Sequence, residues 1–504
     1  MKNVKHSILI SYIYIFINIF TGLIYTPWMI KQIGSSEYAL YGLSLSLITM
    51  FTVDFGLSNS VSRFLLKIKN EQSNEESTFC GIVFKAYLLI DLVIFICLFV
   101  LYFFIGDIYK QLTVEEIEKF KVIYIITLCY TVCSFPFQSL PGVFVAKERF
   151  YISKIIDLLN KLLTVITTIF VLMLGYKIYA LVLVNVSISI LALIIKLIYI
   201  AKNHLLSINL KAKDNKLLKE TMSFSIWNSV SSTMARLLYN ATPSVLASLS
   251  GSFSVTIFTF ASSLEGYVSY FAMAMTDVFL PNVSKIIDDD DKDKLVDLMV
   301  KVGRIQMKVI GIIVLGFLVV GKEFITCWIG SQYVQVYYVT IGLILPYFVT
   351  STEEIAHNAI AIKGYVKEKA YCYMAAIVIF GVLLCLLTPK YDVMGASIAI
   401  YICLIVETIL LNILLYRKLN INIVSFMKRC YVPSFLTFIV ILVTTALLFT
   451  FMPSYISWKT FLIKGIVFVL DYLIIMYFIG CNKEEKMLFK NTAVKIVNKI
   501  LRKN

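Results

Sequence analysis

Hydropathy constrains this chain more than any other property, because about fourteen apolar segments of some 20 residues follow one another with short polar gaps between them. A helix needs about 20 apolar residues to cross the roughly 30 Å hydrocarbon core of a bilayer. Lipid offers no hydrogen-bond partners, so a segment that crosses it must satisfy its own backbone, which favours α-helices. The sequence therefore predicts an all-α polytopic membrane protein with about 14 transmembrane helices.

The predicted spans fill both halves of the chain. Those of the first half lie at 7–30, 38–64, 82–105, 120–146, 152–174 and 178–200. Those of the second half lie at 222–248, 253–281, 303–320, 334–361, 369–388, 393–415, 431–452 and 461–480. Composition agrees, with 59% hydrophobic and 15% charged residues, whereas about a quarter of the residues of a soluble domain are charged.

The net charge of +15 indicates orientation in a membrane rather than nucleic-acid binding. Most of the 46 Lys and Arg residues fall on the side of the membrane that holds both termini, so the positive-inside rule predicts that both termini are cytoplasmic. The ten cysteines are scattered and form no CxxC pair. They are interpreted as small buried hydrophobic residues, in preference to a metal or redox pair at Cys129 and Cys133.

The positions of the polar segments predict five parts of the chain. An N-terminal six-helix lobe at 1–200 is followed by a basic amphipathic linker at 201–221, which is expected to lie along the cytoplasmic membrane surface. A C-terminal six-helix lobe at 222–416 precedes two additional transmembrane helices at 417–480. A basic tail at 481–504 is expected to be interfacial. A Gly-Ser turn precedes the second span of each lobe, as in a parallel repeat about an axis along the membrane normal.

Four sequence motifs occur in a fixed order along the chain. They are Asp54-Phe55-Gly56-Leu57-Ser58-Asn59 followed by Arg63; Ser250-Gly251 through Ala261, ending at Leu280-Pro281; Lys363-Gly364-Tyr365; and Pro389-Lys390-Tyr391 through Gly395-Ala396-Ser397-Ile398-Ala399. In these motifs the chain resembles the polysaccharide exporters, the oligosaccharide (O-antigen-type) flippases of the multidrug/oligosaccharidyl-lipid/polysaccharide exporter superfamily. The resemblance runs over nearly the whole chain.

The resemblance implies two six-helix lobes in parallel pseudo-twofold repeat, which form a V-shaped central cavity that opens alternately to each side. It implies a flippase that moves undecaprenyl-pyrophosphate-linked oligosaccharide units to the outer leaflet of a bacterial inner membrane, for O-antigen, lipopolysaccharide or capsule assembly. The implied partners are the lipid-linked oligosaccharide and membrane lipids, with a polysaccharide polymerase and a chain-length regulator. The protein is expected not to be an enzyme and to need no cofactor beyond H⁺ or Na⁺ coupling, since no P-loop is present.

Polar residues inside a span are costly and usually face a cavity or a partner. In the span at 222–248 a polar stripe is formed by Asn228, Ser232, Arg236 and Asn240, and in the first span a matching stripe includes Asn18 and Tyr25. The guanidinium of Arg236 has five donors that suit a phosphate, so this residue is the leading candidate for binding the substrate. A structural ion pair between Arg236 and Glu265 is the alternative.

Two further sets of charged residues are candidates. Glu265 or Glu354 is expected to take up a coupling ion, because a buried carboxylate with a raised pKa can load and release protons. Helix–helix hydrogen bonding is the alternative for both. Arg63 and Lys67 are interpreted as a cytoplasmic entrance for an anionic substrate, and snorkelling to lipid headgroups explains them equally well.

Alternatives remain open at this stage, both within transport and in one other class of function. Within transport, the alternatives are a flippase for another lipid-linked precursor and a multidrug efflux pump of the same superfamily. The other class is a membrane polysaccharide polymerase or acyltransferase, which would need a histidine close to a carboxylate. The three histidines, His6, His204 and His357, are far apart in the chain, which disfavours an enzyme.

Overall fold

The computed structural model describes residues 2–51, 57–68, 73–211, 215–288 and 291–487, and every long regular element within these ranges is an α-helix. The first half contains α1 (Lys2–Ile33), α2 (Ser35–Phe51), α3 (Leu57–Ile68), α4 (Ser73–Phe103), α5 (Ile105–Ile108), α6 (Val114–Ser134), α7 (Leu140–Ala146), α8 (Phe150–Met173) and α9 (Ile178–Lys202). The second half contains α10 (Asn215–Leu249), α11 (Ser252–Asp288), α12 (Lys292–Trp328), α13 (Gln335–Ile344), α14 (Tyr347–Ile362), α15 (Val366–Leu419), α16 (Ile423–Thr450) and α17 (Trp458–Ile475). Short 3₁₀ helices occur at Phe135–Phe137 and Ser331–Tyr333, and a π-helical turn at Met476–Gly480 extends α17.

The helices coincide with the predicted spans, so the prediction of an all-α polytopic membrane protein is confirmed. Three spans are each built from two consecutive helices, namely α2 with α3, α6 with α7, and α13 with α14. Ten segments in the part of the chain that the structure describes are long and apolar enough to cross a membrane. One of them, α15, contains two predicted spans.

The two predicted spans of α15 are separated by a sharp break. Asp392, three residues after Pro389, has φ 55° and ψ −139°, which is not a helical conformation. The thiol of Cys403 donates a hydrogen bond to the carbonyl oxygen of Ala376, 27 residues earlier in the chain. This contact requires the two halves of α15 to fold back on each other, as two successive membrane crossings must.

Contacts divide the chain into two compact units. Unit 1 comprises residues 1–264 and 366–407, and unit 2 comprises residues 265–365 and 408–504. In unit 1, α8 packs against α1 and α9, and α2 packs against α10. In unit 2, α12 packs against α14, α16 and α17. The lobe boundaries derived from the sequence, at 200 and 222, remain predictions.

The two Gly-Ser turns of the predicted repeat have the same backbone conformation. Gly34 and Gly251 have φ of 84° and 92°, which a residue with a Cβ rarely adopts, and the next helices begin at Ser35 and Ser252. The turns are also joined in space, because the hydroxyl of Thr256 donates a hydrogen bond to the carbonyl oxygen of Ser35 at 2.8 Å. The repeated sequence therefore produces a repeated helix–turn–helix.

The linker predicted at 201–221 differs from the structure. Helix α9 ends at Lys202 and α10 begins at Asn215, earlier than expected, and residues 212–214 lie outside the described ranges. The described segment between them packs on the protein: Leu205 and Leu206 contact an apolar cluster of α7 and α9, and the backbone N–H of Asn209 donates to Ser77 of α4 at 3.0 Å. Leu205 and Leu206 are thus partly buried against helices, whereas Leu210 stays exposed. Residues 488–504, which hold most of the predicted interfacial tail, lie outside the described ranges.

A steric contact at Gly81 provides a test of this packing. A Cβ on Gly81 would overlap the carbonyl oxygen of Asn209, which crosses α4 at that point. We expect Gly81→Ala to destabilise the purified protein by about 1–3 kcal/mol, the usual cost of overpacking. Gly381→Ala is the matched control, since a Cβ there meets nothing within 4 Å. Thermal unfolding in detergent measures both, and equal stability of the two variants would contradict the packing of the linker.

Candidate functional site

The clearest candidate site is a polar cavity of about 270 Å³ in unit 1, which we call the α8 cavity. It is bounded by α1, α2, α8 and α9, and Val165 is the only apolar residue among those that line it in the described structure. Helix α8 contributes Lys154, Asp157, Lys161 and Thr164, whose spacing places them along one side of the helix. A polar wall of this size inside membrane-spanning helices indicates a site for water or a ligand.

Several side chains of the α8 cavity are held by hydrogen bonds. The ammonium of Lys196 lies 2.6 Å from the Oδ1 atom of Asp157, and the amide of Asn185 donates to the hydroxyl of Tyr41 at 3.1 Å. The hydroxyls of Tyr25 and Thr168 are hydrogen-bonded to each other. These contacts fix the walls of the cavity through pairs that join α2 to α9, α8 to α9, and α1 to α8.

The predicted substrate residues are distributed over α1 and α10. Tyr25 lines the α8 cavity, and Asn18 is half-buried on the same helix. The side chains of Arg236 and Ser232 are exposed on α10, and the amide of Asn240 donates to the carbonyl oxygen of Arg236 at 3.0 Å. The side chains of Asn228, Arg63 and Lys67 lie outside the described part of the structure, as do residues 52–56 of the first motif.

The predicted ion-coupling residues lie in unit 2, in different surroundings. Glu265 is buried and accepts a hydrogen bond from the hydroxyl of Tyr347. The side chain of Glu354 is 43% exposed and lies 3.7 Å from Nδ1 of His357. The ion-coupling roles of Glu265 and Glu354 therefore stay predictions. Of the two side chains, that of Glu265 is the more enclosed.

Glu353, which the sequence analysis passed over, is the most deeply buried carboxylate of this helix. It is 0% exposed and accepts hydrogen bonds at 2.8 Å from the hydroxyl of Tyr431 and at 2.8 Å from the amide of Asn412. The hydroxyl of Tyr431 is also 2.9 Å from that of Thr352. Glu353 thereby connects α14, α15 and α16 through a buried polar network.

A cluster of charges joins α12 to the segment after α17. Glu485 lies 2.8 Å from Nε of Arg304 and 2.6 Å from Nζ of Lys308, and the backbone N–H of Asn482 donates to it at 2.8 Å. Burial alone would raise the pKa of Glu485, but the hydrogen bonds from Arg304, Lys308 and Asn482 outweigh that effect and lower the pKa to about 2. The cluster holds the end of the last predicted span against α12.

Asp291, in the acidic stretch between α11 and α12, has a structural role. Asp291 is the N-cap of α12 and accepts a hydrogen bond from the backbone N–H of Lys294 at 3.0 Å. Residues 289 and 290 lie outside the described ranges. Asp291 therefore stabilises the start of α12 as its N-cap.

The charged residues of α8 were missed by the sequence analysis, although a signal was available. Lys154, Asp157 and Lys161 all lie within the predicted span 152–174. Ionisable residues inside a span are rare enough to be functional candidates by default. The candidates chosen from the sequence lie on other helices, and none of them is on α8.

Comparison with known proteins establishes the family. The family model described as polysaccharide biosynthesis protein matches residues 4–287, more than half of the chain. The chain belongs to this family. The resemblance to this family is therefore confirmed, and the first two of the four motifs lie within the matched residues. A search of the curated proteins gives no match.

Solved structures show that the fold is shared with transporters. The chain is similar to a structure titled lipid II flippase MurJ, inward closed conformation, with a TM-score of 0.71, 17% identity, and coverage of 93% of this chain and 98% of that one. It is similar to an inward-facing multidrug resistance MATE family transporter of the MOP superfamily, with TM-score 0.62, 13% identity and coverage of 84% and 99%. It is also similar to the eukaryotic MATE transporter AtDTX14, with TM-score 0.56, 17% identity and coverage of 82% and 95%. These are structures of a flippase and of transporters, in keeping with the prediction that the chain is not an enzyme.

The Glu485 cluster predicts a pH-dependent stability. The carboxyl has an ordinary pKa of 4.5 when unfolded and about 2 when folded. Its stabilising contribution is therefore fully present above pH 4.5 and is lost as the pH falls toward 2. Glu485→Gln leaves the buried Lys308 and the half-buried Arg304 without their anion and should cost on the order of 3 kcal/mol at pH 7.

Thermal unfolding of both proteins at pH 7 and pH 3 measures this difference, which we expect to shrink at the lower pH. Asp297→Asn is the control, since Asp297 pairs with Arg429 at 2.8 Å but the two side chains are 64% and 50% exposed. An exposed pair of this kind contributes about 1 kcal/mol or less. A loss for Glu485→Gln no larger than for Asp297→Asn would contradict the role of the cluster.

Proposed function

We propose that this polysaccharide biosynthesis protein is a flippase for undecaprenyl-pyrophosphate-linked oligosaccharide repeat units. It moves them from the cytoplasmic to the outer leaflet of a bacterial inner membrane, where they enter surface polysaccharides of the O-antigen or capsule type. The family match and the fold shared with a protein titled lipid II flippase support the proposal. In this proposal both termini are cytoplasmic, and the partners are membrane lipids, a polysaccharide polymerase and a chain-length regulator.

The observation that carries the proposal is the position of Arg236. It lies 13 residues before the end of α10 at Leu249, which is about 20 Å along the helix axis. Its side chain is exposed although the surrounding span is predicted to lie within the hydrocarbon core. Placing a cation there costs roughly 2.5–3.5 kcal/mol on insertion scales. A substrate whose contact with Arg236 offsets this free-energy cost must be anionic and must pass through the membrane.

A lipid diphosphate has these properties. Its oxygens lose their water when it leaves the aqueous surface, and a guanidinium replaces part of that water with charge-assisted hydrogen bonds in a planar arrangement. Because an arginine stays protonated at every accessible pH, its attraction for the diphosphate does not depend on a proton supply. In the proposal Ser232, Asn240, Asn228, Asn18 and Tyr25 surround the substrate, and Arg63 with Lys67 attracts it at the cytoplasmic entrance.

The proposal also includes an ion that returns the protein to its starting state. Glu265 is the better candidate to bind H⁺ or Na⁺, because it is buried and accepts a hydrogen bond from the hydroxyl of Tyr347. Glu354 is more exposed and has an imidazole beside it. A multidrug efflux pump, the alternative within this fold, would need an accessible carboxylate for a cationic drug, and Arg236 disfavours such a substrate.

The function is tested in cells from which the gene has been deleted. A membrane-impermeant glycosidase or lectin reports which leaflet holds the lipid-linked oligosaccharide. We expect repeat units to accumulate in the inner leaflet while the surface polymer disappears. Repeat units that reach the outer leaflet and stay unpolymerised would contradict a flippase and indicate the membrane enzyme instead. Accumulation of a different lipid-linked precursor would identify a flippase with another substrate.

The role of Arg236 is tested by complementation of the same cells. Arg236→Ala should abolish export while the protein still inserts and accumulates, because the diphosphate loses its charged partner. Arg236→Lys should retain part of the export, since it keeps the charge but not the planar set of donors. Arg417→Ala removes an exposed arginine at the end of α15 and should export normally. Full export by Arg236→Ala would exclude the proposed contact with the diphosphate.

A further inference from the structure

The α8 cavity contains more cationic than anionic groups. Lys154 and Lys161 line it, and Asp157 is the one carboxylate among the lining residues in the described structure. That carboxylate is already paired, because the ammonium of Lys196 lies 2.6 Å from it. Lys154 lies over the ring of Phe150 at 5.2 Å. Lys161 has no carboxylate within ion-pair distance among the residues that the structure describes.

Lys161 cannot reach the membrane surface from its place on α8. It lies 11 residues after the start of the helix at Phe150 and 12 before its end at Met173, about 17 Å along the axis from either end. A lysine close to the end of a span can extend its ammonium to the lipid headgroups. The mid-helix position of Lys161 therefore leaves the α8 cavity as the place where its charge is compensated.

A second unpaired group lies beside it. Asn160 lines the same cavity, and its buried Oδ1 atom accepts no hydrogen bond from any part of the chain that the structure describes. A buried acceptor without a donor is unfavourable until a ligand or a water molecule supplies one. The cavity thus presents an ammonium that lacks an anion next to an acceptor that lacks a donor, with the hydroxyls of Tyr25 and Ser189 also in its wall.

We propose that the α8 cavity binds a single sugar that carries a phosphate or a carboxylate. The ammonium of Lys161 contacts the anionic group, and Oδ1 of Asn160 accepts a hydrogen bond from a sugar hydroxyl. The volume of about 270 Å³ lies just below the range of about 300–1,000 Å³ for sites of drug-sized ligands, so it suits one sugar rather than an oligosaccharide. The inference rests on the proposed function in one respect, that the sugar belongs to the transported repeat unit, and it assigns that unit to the acidic or phosphorylated class.

Calorimetric titration of the purified full-length protein in lipid nanodiscs tests the ligand class. The probes are glucose 1-phosphate, glucuronate, glucose and inorganic phosphate. We expect each of the two anionic sugars to bind with a Kd at least tenfold lower than those of glucose and phosphate. Glucose that binds as tightly as the anionic sugars would overturn the role of the charge. Phosphate that binds as tightly as glucose 1-phosphate would overturn the sugar subsite.

Variants assign the binding to the cavity. Lys161→Met should weaken both anionic sugars at least tenfold, whereas Lys161→Arg should keep most of the affinity. Asn160→Leu should remove the advantage of glucose 1-phosphate over phosphate. Lys202→Met is the matched control, because Lys202 is exposed at the end of α9 and away from the cavity lining. Unchanged binding in Lys161→Met would overturn the proposal, and the comparison of the four probes on the wild-type protein does not depend on any variant folding.

The outcome is separable from that of the proposed function. The titration contains no lipid carrier and measures no transport, so the cavity can bind the anionic sugars even if the deletion leaves the lipid-linked oligosaccharide in its normal leaflet. In that case the proposed function fails and the binding site stands. If the deletion traps repeat units in the inner leaflet but the titration shows no preference for anionic sugars, the flippase stands and the site proposed here fails.

Discussion

A polar side chain inside a hydrocarbon layer needs a partner, and this requirement organises the structure. Some groups find it in their own helix, as Thr242 does by donating to the carbonyl oxygen of Leu238. Others find it in a neighbouring helix, as Asp157 does with Lys196 and as Glu353 does with two donors from other helices. Groups that find neither must face water or a ligand. Polar side chains that have no intramolecular partner are therefore the candidates for binding a ligand.

The two units differ in whether their charged side chains are paired with other side chains of the protein. In unit 2 two buried lysines are paired with carboxylates on other elements: Lys464 of α17 contacts Glu323 of α12 at 2.5 Å, and Lys308 of α12 contacts Glu485 at 2.6 Å. Such pairs stabilise the packing of α12 against α17 and the segment after it, and removing one partner is costly. In unit 1 the exposed Arg236 and the cavity residue Lys161 lie in predicted spans without such a pairing in the contacts described. The candidate ligand contacts consequently fall on unit 1.

The membrane-crossing helices were predictable because the bilayer fixes both their length and their composition. The span expected at 178–200 is the helix Ile178–Lys202, and that expected at 152–174 is the helix Phe150–Met173. Which side of a helix is buried was not predictable in the same way. Periodicity selected Glu354 on α14, whereas the packing of α15 and α16 encloses its neighbour Glu353. Likewise, the cavity beside α8 depends on how α1, α2 and α9 pack around it, which no single helix encodes.

In the proposed flippase, Arg236 and Lys161 bind different parts of the substrate. A diphosphate is present on every substrate molecule, so a permanently charged, planar donor such as Arg236 suits it whatever sugars follow. The sugars vary between polymers, and a lysine in a small polar cavity selects one class of them through a single ammonium and a neighbouring amide. Carrier recognition would then depend on α10 and sugar recognition on α8. Because different helices carry the two proposed contacts, the proposal implies that substitutions around Lys161 would change the accepted sugar while Arg236 would still bind the carrier.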